Sequence, residues 1–270
     1  MIVDFHTHDF PDAIAERTIA QLQQRSGTTP YTDGTYQGLI RSMEEGGIDF
    51  SILLPVVTKP TQFDTVNRVA AQLNEKQGAV RSFGGIHPDN DDYWEKLKEI
   101  KRMGLPGIKL HPAYQGTYMD DIRYKRIVSY ALEQDLIVVF HAGVDIGLPE
   151  PVYTDPERTL NLLRDTGGGN IVLAHLGGWK CWDKVEELLL DRDVYFDTAF
   201  VQDFMTKEQF MRIVRGHGTD KILFGTDSPW SGQKESVEWL KSLPLSPEEQ
   251  EQIFSGNARR LFNQDLICGS

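Results

Sequence analysis

The sequence predicts an α/β protein built as a (β/α)8 barrel, the TIM-barrel architecture. Eight short apolar or β-branched runs alternate with stretches whose apolar residues recur at intervals of three and four, as in helices with one buried face. The apolar runs are nearly continuous, which is typical of parallel strands covered by helices. Eight such strand and helix units indicate a closed barrel.

The strands are predicted from the apolar runs in chain order. They are MIVDF from Met1, FSILLP from Phe50, VRSFGGI from Val80, PGIKL from Pro106, LIVVF from Leu136, NIVLA from Asn170, VYFDT from Val194 and KILFG from Lys221. Strands of this length are ordinary for a globular protein.

Helices are predicted between the strands. The clearest patterns are TVNRVAAQLNEKQ, DDYWEKLKEIKRM, DDIRYKRIVSYALEQ, DPERTLNLLRDTGG and KVEELLLDR. Asp120 is a start signal before one helix, and Gly167 is a stop signal after another. The stretch from about Asp9 to Gly38 is much longer than an ordinary strand-to-helix connection of about 2 to 6 residues. We expect this extended loop after the first strand to be partly helical and to lie over the barrel mouth.

An open doubly wound sheet would also alternate strands and helices. Its usual phosphate-binding fingerprint is missing, because neither GxGxxG nor GxxxxGK[ST] follows the first strand. Nucleotide binding therefore has no local support. The length and composition of the chain predict one barrel domain over residues 1–270.

Composition narrows the partners. A net charge of −12 argues against nucleic acid, since that affinity rests mainly on Lys and Arg. Neither a bilayer-spanning stretch nor a signal peptide is recognisable, so no membrane partner and a cytoplasmic location are expected. Cys181 and Cys268 lack metal-ligand spacing and are expected to be reduced thiols. A small-molecule substrate is the expected partner.

Polar residues are concentrated where the predicted strands end. In a barrel enzyme the reacting groups lie at the carboxyl ends of the strands. The seven histidines of the chain are distributed very unevenly, because all except His217 occupy such positions and His217 belongs to a helix end. The strand-end residues are His6, His8, His87, Lys109, His111, His141, His175 and Asp227.

The pair His6 and His8 is the first indication of chemistry. Successive side chains of a strand alternate between its faces, so these two imidazoles point the same way. Neutral imidazoles suit Zn²⁺ and similar divalent ions, and catalytic sites commonly use three protein ligands. His141 and Asp227 can supply the remaining ligands from other strand ends. The sequence therefore predicts a divalent metal, with zinc as the expected ion.

Several separated motifs then resemble one known family. DFHTHDFPD, GIKLHP, FHAG, LAHLGG, LFGTDSPW and GNARRLF are similar to the motifs of the amidohydrolase superfamily, in the same order. The closer resemblance is to the amidohydrolase-2 group, which includes aminocarboxymuconate-semialdehyde decarboxylase. The resemblance implies a distorted barrel holding a divalent metal, usually zinc, on His6, His8, His141 and Asp227. It also implies that His175 transfers a proton, orients water, or binds a second metal, and that the protein pairs as a homodimer.

Lys109 and His111 have two interpretations each. In binuclear relatives a lysine at this place is carbamylated and bridges two metals, whereas the decarboxylase-like relatives hold one metal. We favour one metal, with Lys109 binding a substrate carboxylate or pairing with a carboxylate in the barrel. His111 shares the face of Lys109, so it contacts the substrate or stabilises the turn at Pro112. His87 is a pocket residue or a structural histidine.

The expected reaction is hydrolysis of an amide, ester or lactone by metal-activated water. Asp227 would accept the water proton and His175 would bind the water or the developing oxyanion. The alternative with the same residues is non-oxidative decarboxylation of a small carboxylic acid. A TatD-type nuclease lacks support, because the chain has GIKLHP where that class has GEIGLD, and a non-catalytic barrel would more readily have lost a ligand.

The pocket walls and the supporting residues are less specific. Trp230, Trp179 and Trp182 are candidates for the walls around an organic substrate, and Trp230 is the best of them because it follows Asp227 closely. Lys59 and Lys180 lie in predicted strand-end loops, where exposed lysines are usually just solvated. Asp197 ends the seventh predicted strand and is a candidate hydrogen-bond partner of a ligand histidine.

Overall fold

Short parallel strands form the centre of the computed structural model, which describes residues 1–262. The strands are β1 (Val3–Thr7), β2 (Phe50–Leu53), β3 (Val80–Ser82), β4 (Gly84–Gly85), β5 (Gly107–Leu110), β6 (Ile137–Phe140), β7 (Ile171–Leu173), β8 (Tyr195–Asp197) and β9 (Ile222–Leu223). Seven of the eight predicted runs contain an observed strand, and the first overlaps β1, which continues to Thr7. Cys268 lies outside the described residues.

All strand pairs are parallel and follow the chain order. The pairing runs β1-β2-β3 and then β4-β5-β6-β7-β8-β9. Phe83 separates β3 from β4, and both pieces fall within the third predicted strand. Backbone hydrogen bonds join β1 to the chain around β9: Phe5 N–H donates to Phe224 O at 2.8 Å, and Asp227 N–H to His6 O at 2.8 Å. The predicted barrel class is therefore confirmed.

Helices connect the strands. They are α1 (Asp12–Ser26), α2 (Tyr36–Gly46), α3 (Phe63–Glu75), α4 (Tyr93–Arg102), α5 (Pro112–Gln115), α6 (Ile122–Glu133), α7 (Pro156–Thr166), α8 (Trp182–Leu188), α9 (Lys207–His217), α10 (Gln233–Lys241), α11 (Pro247–Glu251) and α12 (Asn257–Leu261). The five predicted helical patterns correspond to α3, α4, α6, α7 and α8. Among the described residues, no helix is long and apolar enough to cross a membrane.

The predicted helix signals are correct for one helix and displaced by one residue for the other. Gly167 ends α7 with a φ of 75°, as a glycine stop signal predicts. The cap of α6 is Asp121 rather than Asp120, because the Asp121 side chain accepts from Arg123 N. Asp120 instead accepts from Arg158 Nη1 at 2.9 Å.

Both faces of the sheet are buried. Alternate residues of β6 belong to two different hydrophobic clusters, since Ile137 and Val139 lie in the smaller and Val138 and Phe140 in the larger. This explains why the strand runs are apolar throughout. His141 follows Ile137 and Val139 at the same spacing of two, so the pattern of β6 continues into the site.

The long connection after β1 contains α1, as predicted. Its two ends are held by backbone hydrogen bonds, from Phe10 N–H to Gly34 O at 2.8 Å and from Tyr31 N–H to Pro229 O at 2.7 Å. The helix itself buries only Ala15 and Ile19. It therefore covers the barrel mouth with little of its own surface packed in the core.

Candidate functional site

A cavity of about 560 Å³ opens at the carboxyl ends of the strands. Its lining includes nine of the residues singled out from the sequence: His6, His8, Lys109, His111, His141, His175, Trp179, Asp227 and Trp230. The walls are mostly apolar, and the titratable side chains are gathered at the barrel end. Seven of the eight predicted strand-end residues therefore line one cavity, and His87 is the exception.

His6 and His8 are oriented by their outer ring nitrogens. His6 Nδ1 lies 2.8 Å from Asp197 Oδ2, and His8 Nδ1 lies 2.9 Å from Leu54 O. Carboxylate and carbonyl oxygens accept hydrogen bonds, so both Nδ1 atoms carry the proton. In that tautomer each ring presents a lone pair on Nε2, and the two Nε2 atoms lie 3.2 Å apart. No proton is available between two such lone pairs, whereas a cation would satisfy both.

Asp227 completes this group. Its Oδ1 lies 3.1 Å from His8 Nε2 and 3.4 Å from His6 Nε2. Burial alone would raise the pKa of the carboxyl group, but its interactions with the rings of His8 and His6 lower the pKa to about 2. The group is ionised at neutral pH and can act as an anionic ligand.

The three residues fit a divalent metal ion. His6, His8 and Asp227 each offer one ligand atom, and these atoms lie within 4.8 Å of one another. Two imidazole nitrogens and a carboxylate oxygen suit zinc and other first-row divalent ions. The donor set and the facing lone pairs together support a divalent metal as cofactor.

The fourth predicted ligand, His141, is in contact with His175. His175 Nδ1 donates to Ala199 O at 2.9 Å, and its Nε2 lies 3.1 Å from His141 Nδ1. His141 Nε2 is buried and has no hydrogen-bond partner among the described residues. The structure therefore brings three of the four predicted ligands into one group and places His141 beside it. A ligand role for His141 stays a prediction.

His141 belongs to a second group with His111 and Asp145. The rings of His111 and His141 stack with centroids 4.2 Å apart, and His111 Nε2 lies 3.5 Å from Asp145 Oδ2. Asp145 also lines the cavity, and burial raises the pKa of its carboxyl group. Sequence reasoning missed Asp145, although its position four residues after His141 in the loop following β6 was an available signal.

Lys109 is enclosed between the group of His6, His8 and Asp227 and the group of His111, His141 and Asp145. Its side chain is only 1% exposed, and Nζ lies 3.2 Å from His6 Nε2. Burial lowers the pKa of Lys109 to about 8, against the opposing effects of Asp197 and Asp227. Its position beside the candidate metal ligands is compatible with both interpretations given above.

Other predicted residues have structural contacts. His87 does not line the cavity; its Nδ1 accepts from Asp89 N–H at 3.1 Å, which supports the structural interpretation. Trp182 also lies outside the lining, and its Nε1–H donates to His175 O at 3.0 Å. Lys180 Nζ lies 5.2 Å from the ring centroid of Trp179, and neither Lys180 nor Lys59 lines the cavity.

The backbone is unusual at two site residues. His175 and Asp227 have positive φ values of 58° and 69°, and Leu176 beside His175 has 55°. Non-glycine residues in this region are uncommon and cluster at functional sites. Gly225 permits the close approach of the last strand, since a Cβ there would lie 3.0 Å from His6 Cβ.

A family model described as amidohydrolase, Amidohydro_2, matches residues 3–264. The comparison with curated proteins found no match. Among solved structures, an uncharacterized TIM-barrel protein from Bordetella bronchiseptica is 20% identical with a TM-score of 0.80, and the alignment covers 97% of this chain and 98% of that one.

Two similar structures carry enzyme names. The 5-carboxyvanillate decarboxylase of Sphingomonas paucimobilis is 14% identical with a TM-score of 0.71, covering 97% of this chain and 98% of that one. A dihydroxybenzoic acid decarboxylase from a Polaromonas species, with bound manganese and the inhibitor 2-nitroresorcinol, is 16% identical with a TM-score of 0.70, covering 98% and 97%. At these identities the likeness establishes the shared fold.

Proposed function

The chain belongs to the amidohydrolase family, and from this premise we propose that it is a metal-dependent, non-oxidative decarboxylase of a carboxylic acid. The sequence analysis placed hydrolysis first and decarboxylation second. The names of the similar solved structures favour the second. Hydrolysis is therefore the competing outcome of the test below.

The observation that carries the proposal is the unequal distribution of charge in the cavity. Lys109, the histidines and Asp227 meet at its barrel end, while Leu54, Val144 and Phe200 are among its apolar walls. A carboxylic acid would place its charged group at the polar end and its organic part against these walls. Trp179 and Trp230, two of the candidates for the walls, are also in the lining.

We assign His6, His8 and Asp227 as the metal ligands, with His141 Nε2 as the fourth. A bound divalent cation would neutralise negative charge on the substrate and so favour its binding and its loss of CO₂. Manganese is bound in one similar structure, whereas the imidazole-rich donor set was expected to favour zinc. Reconstitution with zinc and with manganese distinguishes the two ions.

The protein residues supply the charge and the proton. Lys109 would bind the carboxylate through its ammonium group. When the carbon–carbon bond to that carboxylate breaks, CO₂ leaves and the electron pair stays on the substrate carbon, which then takes one proton. His175 is the proposed donor: its Nδ1 is fixed on Ala199 O, and its Nε2, which lies 3.1 Å from His141 Nδ1, would gain and lose the proton.

The test uses protein stripped of metal with a chelator and reloaded separately with zinc or manganese. We would follow CO₂ release from a panel of aromatic and unsaturated carboxylic acids, and acid release from esters, lactones and amides in parallel. CO₂ release only in the reloaded protein is expected. Hydrolysis without CO₂ release would overturn the proposal in favour of the hydrolase.

Two variants make the assay specific to the site. His6→Ala removes one proposed ligand and should abolish activity and metal binding together. His87→Asn alters a buried histidine outside the cavity, and an asparagine oxygen can still accept from Asp89 N–H, so this control should stay active. Equal losses in both variants would show that folding, rather than the site, was disturbed.

A further inference from the structure

The cavity does not end at the barrel mouth but extends between α1 and α3. The lining residues of α1 include Ile14, Thr18 and Leu22, and those of α3 include Val66 and Leu73. These positions follow helical spacing, so each helix turns one continuous stripe towards the same space. At a rise of 1.5 Å per residue the stripes are about 10 to 12 Å long. Packed helices would normally close such a seam with interlocking side chains.

We call this space between α1 and α3 the slot. The residues at its entrance are exposed and apolar. Ile14 on α1 is 50% exposed and Val69 on α3 is 53% exposed, and both line the cavity. Ala70 and Leu73 continue the apolar surface inward along α3. Exposed apolar side chains on both walls of one slot indicate a ligand that covers them.

Two polar side chains that border the slot already have partners. Gln62 Oε1 accepts from Thr58 N–H at 2.8 Å and from Lys59 N–H at 3.0 Å. Ser82 Oγ donates to Phe83 O at 2.9 Å. A ligand in the slot therefore needs no polar groups to satisfy these two side chains, which favours a hydrocarbon over a sugar or a peptide.

We propose that the slot binds an unbranched apolar tail of the substrate, whose carboxylate end lies at His6, His8 and Lys109. The inference rests on the proposed function for the placement of the carboxylate. Independently of that function, the inference rests on the continuity of the slot with the site, which together form a single cavity of about 560 Å³. The substrate class is thus a carboxylic acid with a linear alkyl tail or an alkyl-substituted ring.

The test measures binding of straight-chain carboxylates, from butanoate to decanoate, to the zinc-loaded protein by titration calorimetry. Each added methylene that enters the slot should lower the Kd about fourfold, until the slot is filled. A Kd that does not change with chain length would overturn the proposal. Because no turnover is needed, this result stands whether or not CO₂ is released.

A variant that blocks the slot locates the tail. Val66→Trp should leave butanoate binding unchanged and remove most of the gain for decanoate. Gln72→Trp places the same side chain at an exposed position of α3 outside the lining, and should behave as the parent protein. Retention of the full gain in a folded Val66→Trp protein would contradict the proposal.

A second pair of variants avoids crowding the interior. Ile14→Asp puts a charge on the exposed rim of the slot and should weaken decanoate more than butanoate. Gln21→Asp makes the same charge change on an exposed α1 residue outside the lining. CO₂ release from short acids that does not depend on tail length would support the proposed decarboxylase activity. It would contradict the proposal that the slot binds a tail.

Discussion

Asp197 accepts a hydrogen bond from His6 Nδ1 at 2.8 Å, and both side chains are buried. The other carboxylate oxygen, Oδ1, accepts from the backbone N–H of His175 at 2.9 Å and of Ala199 at 3.1 Å. One carboxylate thus fixes the ring of a proposed metal ligand and the backbone of the proposed proton donor. The sequence analysis identified Asp197 as a candidate partner of a ligand histidine, and its bond to His6 agrees with that expectation.

The first prediction concerns this bond. Asp197→Asn keeps the size of the side chain but replaces the carboxylate by a weaker, neutral partner for His6. Metal affinity should fall about 10-fold to 100-fold, as for other partners of ligand histidines. Competition with a chromophoric chelator measures the affinity, and excess metal should restore much of the activity. Activity that stays low at saturating metal would assign Asp197 a different role.

The second prediction separates the two interpretations of Lys109. Lys109→Met keeps the stem and removes a cation 3.2 Å from His6 Nε2. Metal should then bind at least as tightly as in the parent protein, because a positive charge beside the site is gone. Substrate binding should weaken, as seen in a raised KM.

Metal counting completes that experiment. We expect one ion per chain in both the parent protein and Lys109→Met. Two ions in the parent protein and one in the variant would instead identify a carbamylated lysine that bridges two metals. Elemental analysis of protein reloaded in bicarbonate buffer, where carbamylation is favoured, makes this comparison decisive.

The sequence predicted the barrel and much of the site because periodicity and strand-end positions are local properties. His6 and His8 are two residues apart on one strand, so their convergence follows from the geometry of an extended chain. The structure also brings Asp227 to them, although it lies at the other end of the sequence. The closure of the barrel by backbone bonds between β1 and the chain near β9 explains that meeting.

The arrangement of His141 was beyond sequence reasoning. Its strand position was predicted, but the hydrogen bond of Nδ1 to His175 depends on ring orientation, which strand periodicity does not encode. Asp145 was missed because its signal, a position four residues after His141 in a loop, is not a periodic one. The slot was missed for a similar reason, since the pattern of α1 does not reveal which of its faces remains unpacked.

The third prediction uses His217, which lies away from the cavity. Its ring stacks on Phe196 with centroids 3.8 Å apart, and Nε2 donates to Val194 O at 2.9 Å. Burial lowers the pKa of His217 below its ordinary value of 6.5. The folded state therefore prefers the neutral ring. The stabilising effect of this buried neutral ring is present above about pH 6.5 and is lost as the pH falls.

The comparison with His217→Gln isolates this effect, because glutamine cannot be protonated while other titrating groups are common to both proteins. The parent protein should lose stability relative to the variant below pH 6.5, by at most about 1.4 kcal/mol per pH unit. Urea unfolding at pH 7.5 and pH 5.5 gives, at each pH, the difference in unfolding free energy between the parent protein and the variant. A stability difference that is the same at both values would contradict the assigned pKa direction.

The last prediction tests the proton donor. His175 has a φ of 58°, a conformation that asparagine tolerates better than most residues, so His175→Asn should preserve the backbone. The amide cannot transfer a proton, and turnover should fall about 100-fold to 10,000-fold. Metal content should stay unchanged, because the proposed ligands His6, His8, Asp227 and His141 are intact. A loss of metal that parallels the loss of turnover would make His175 a metal ligand instead of the proton donor, which is the role that the resemblance allows in binuclear relatives.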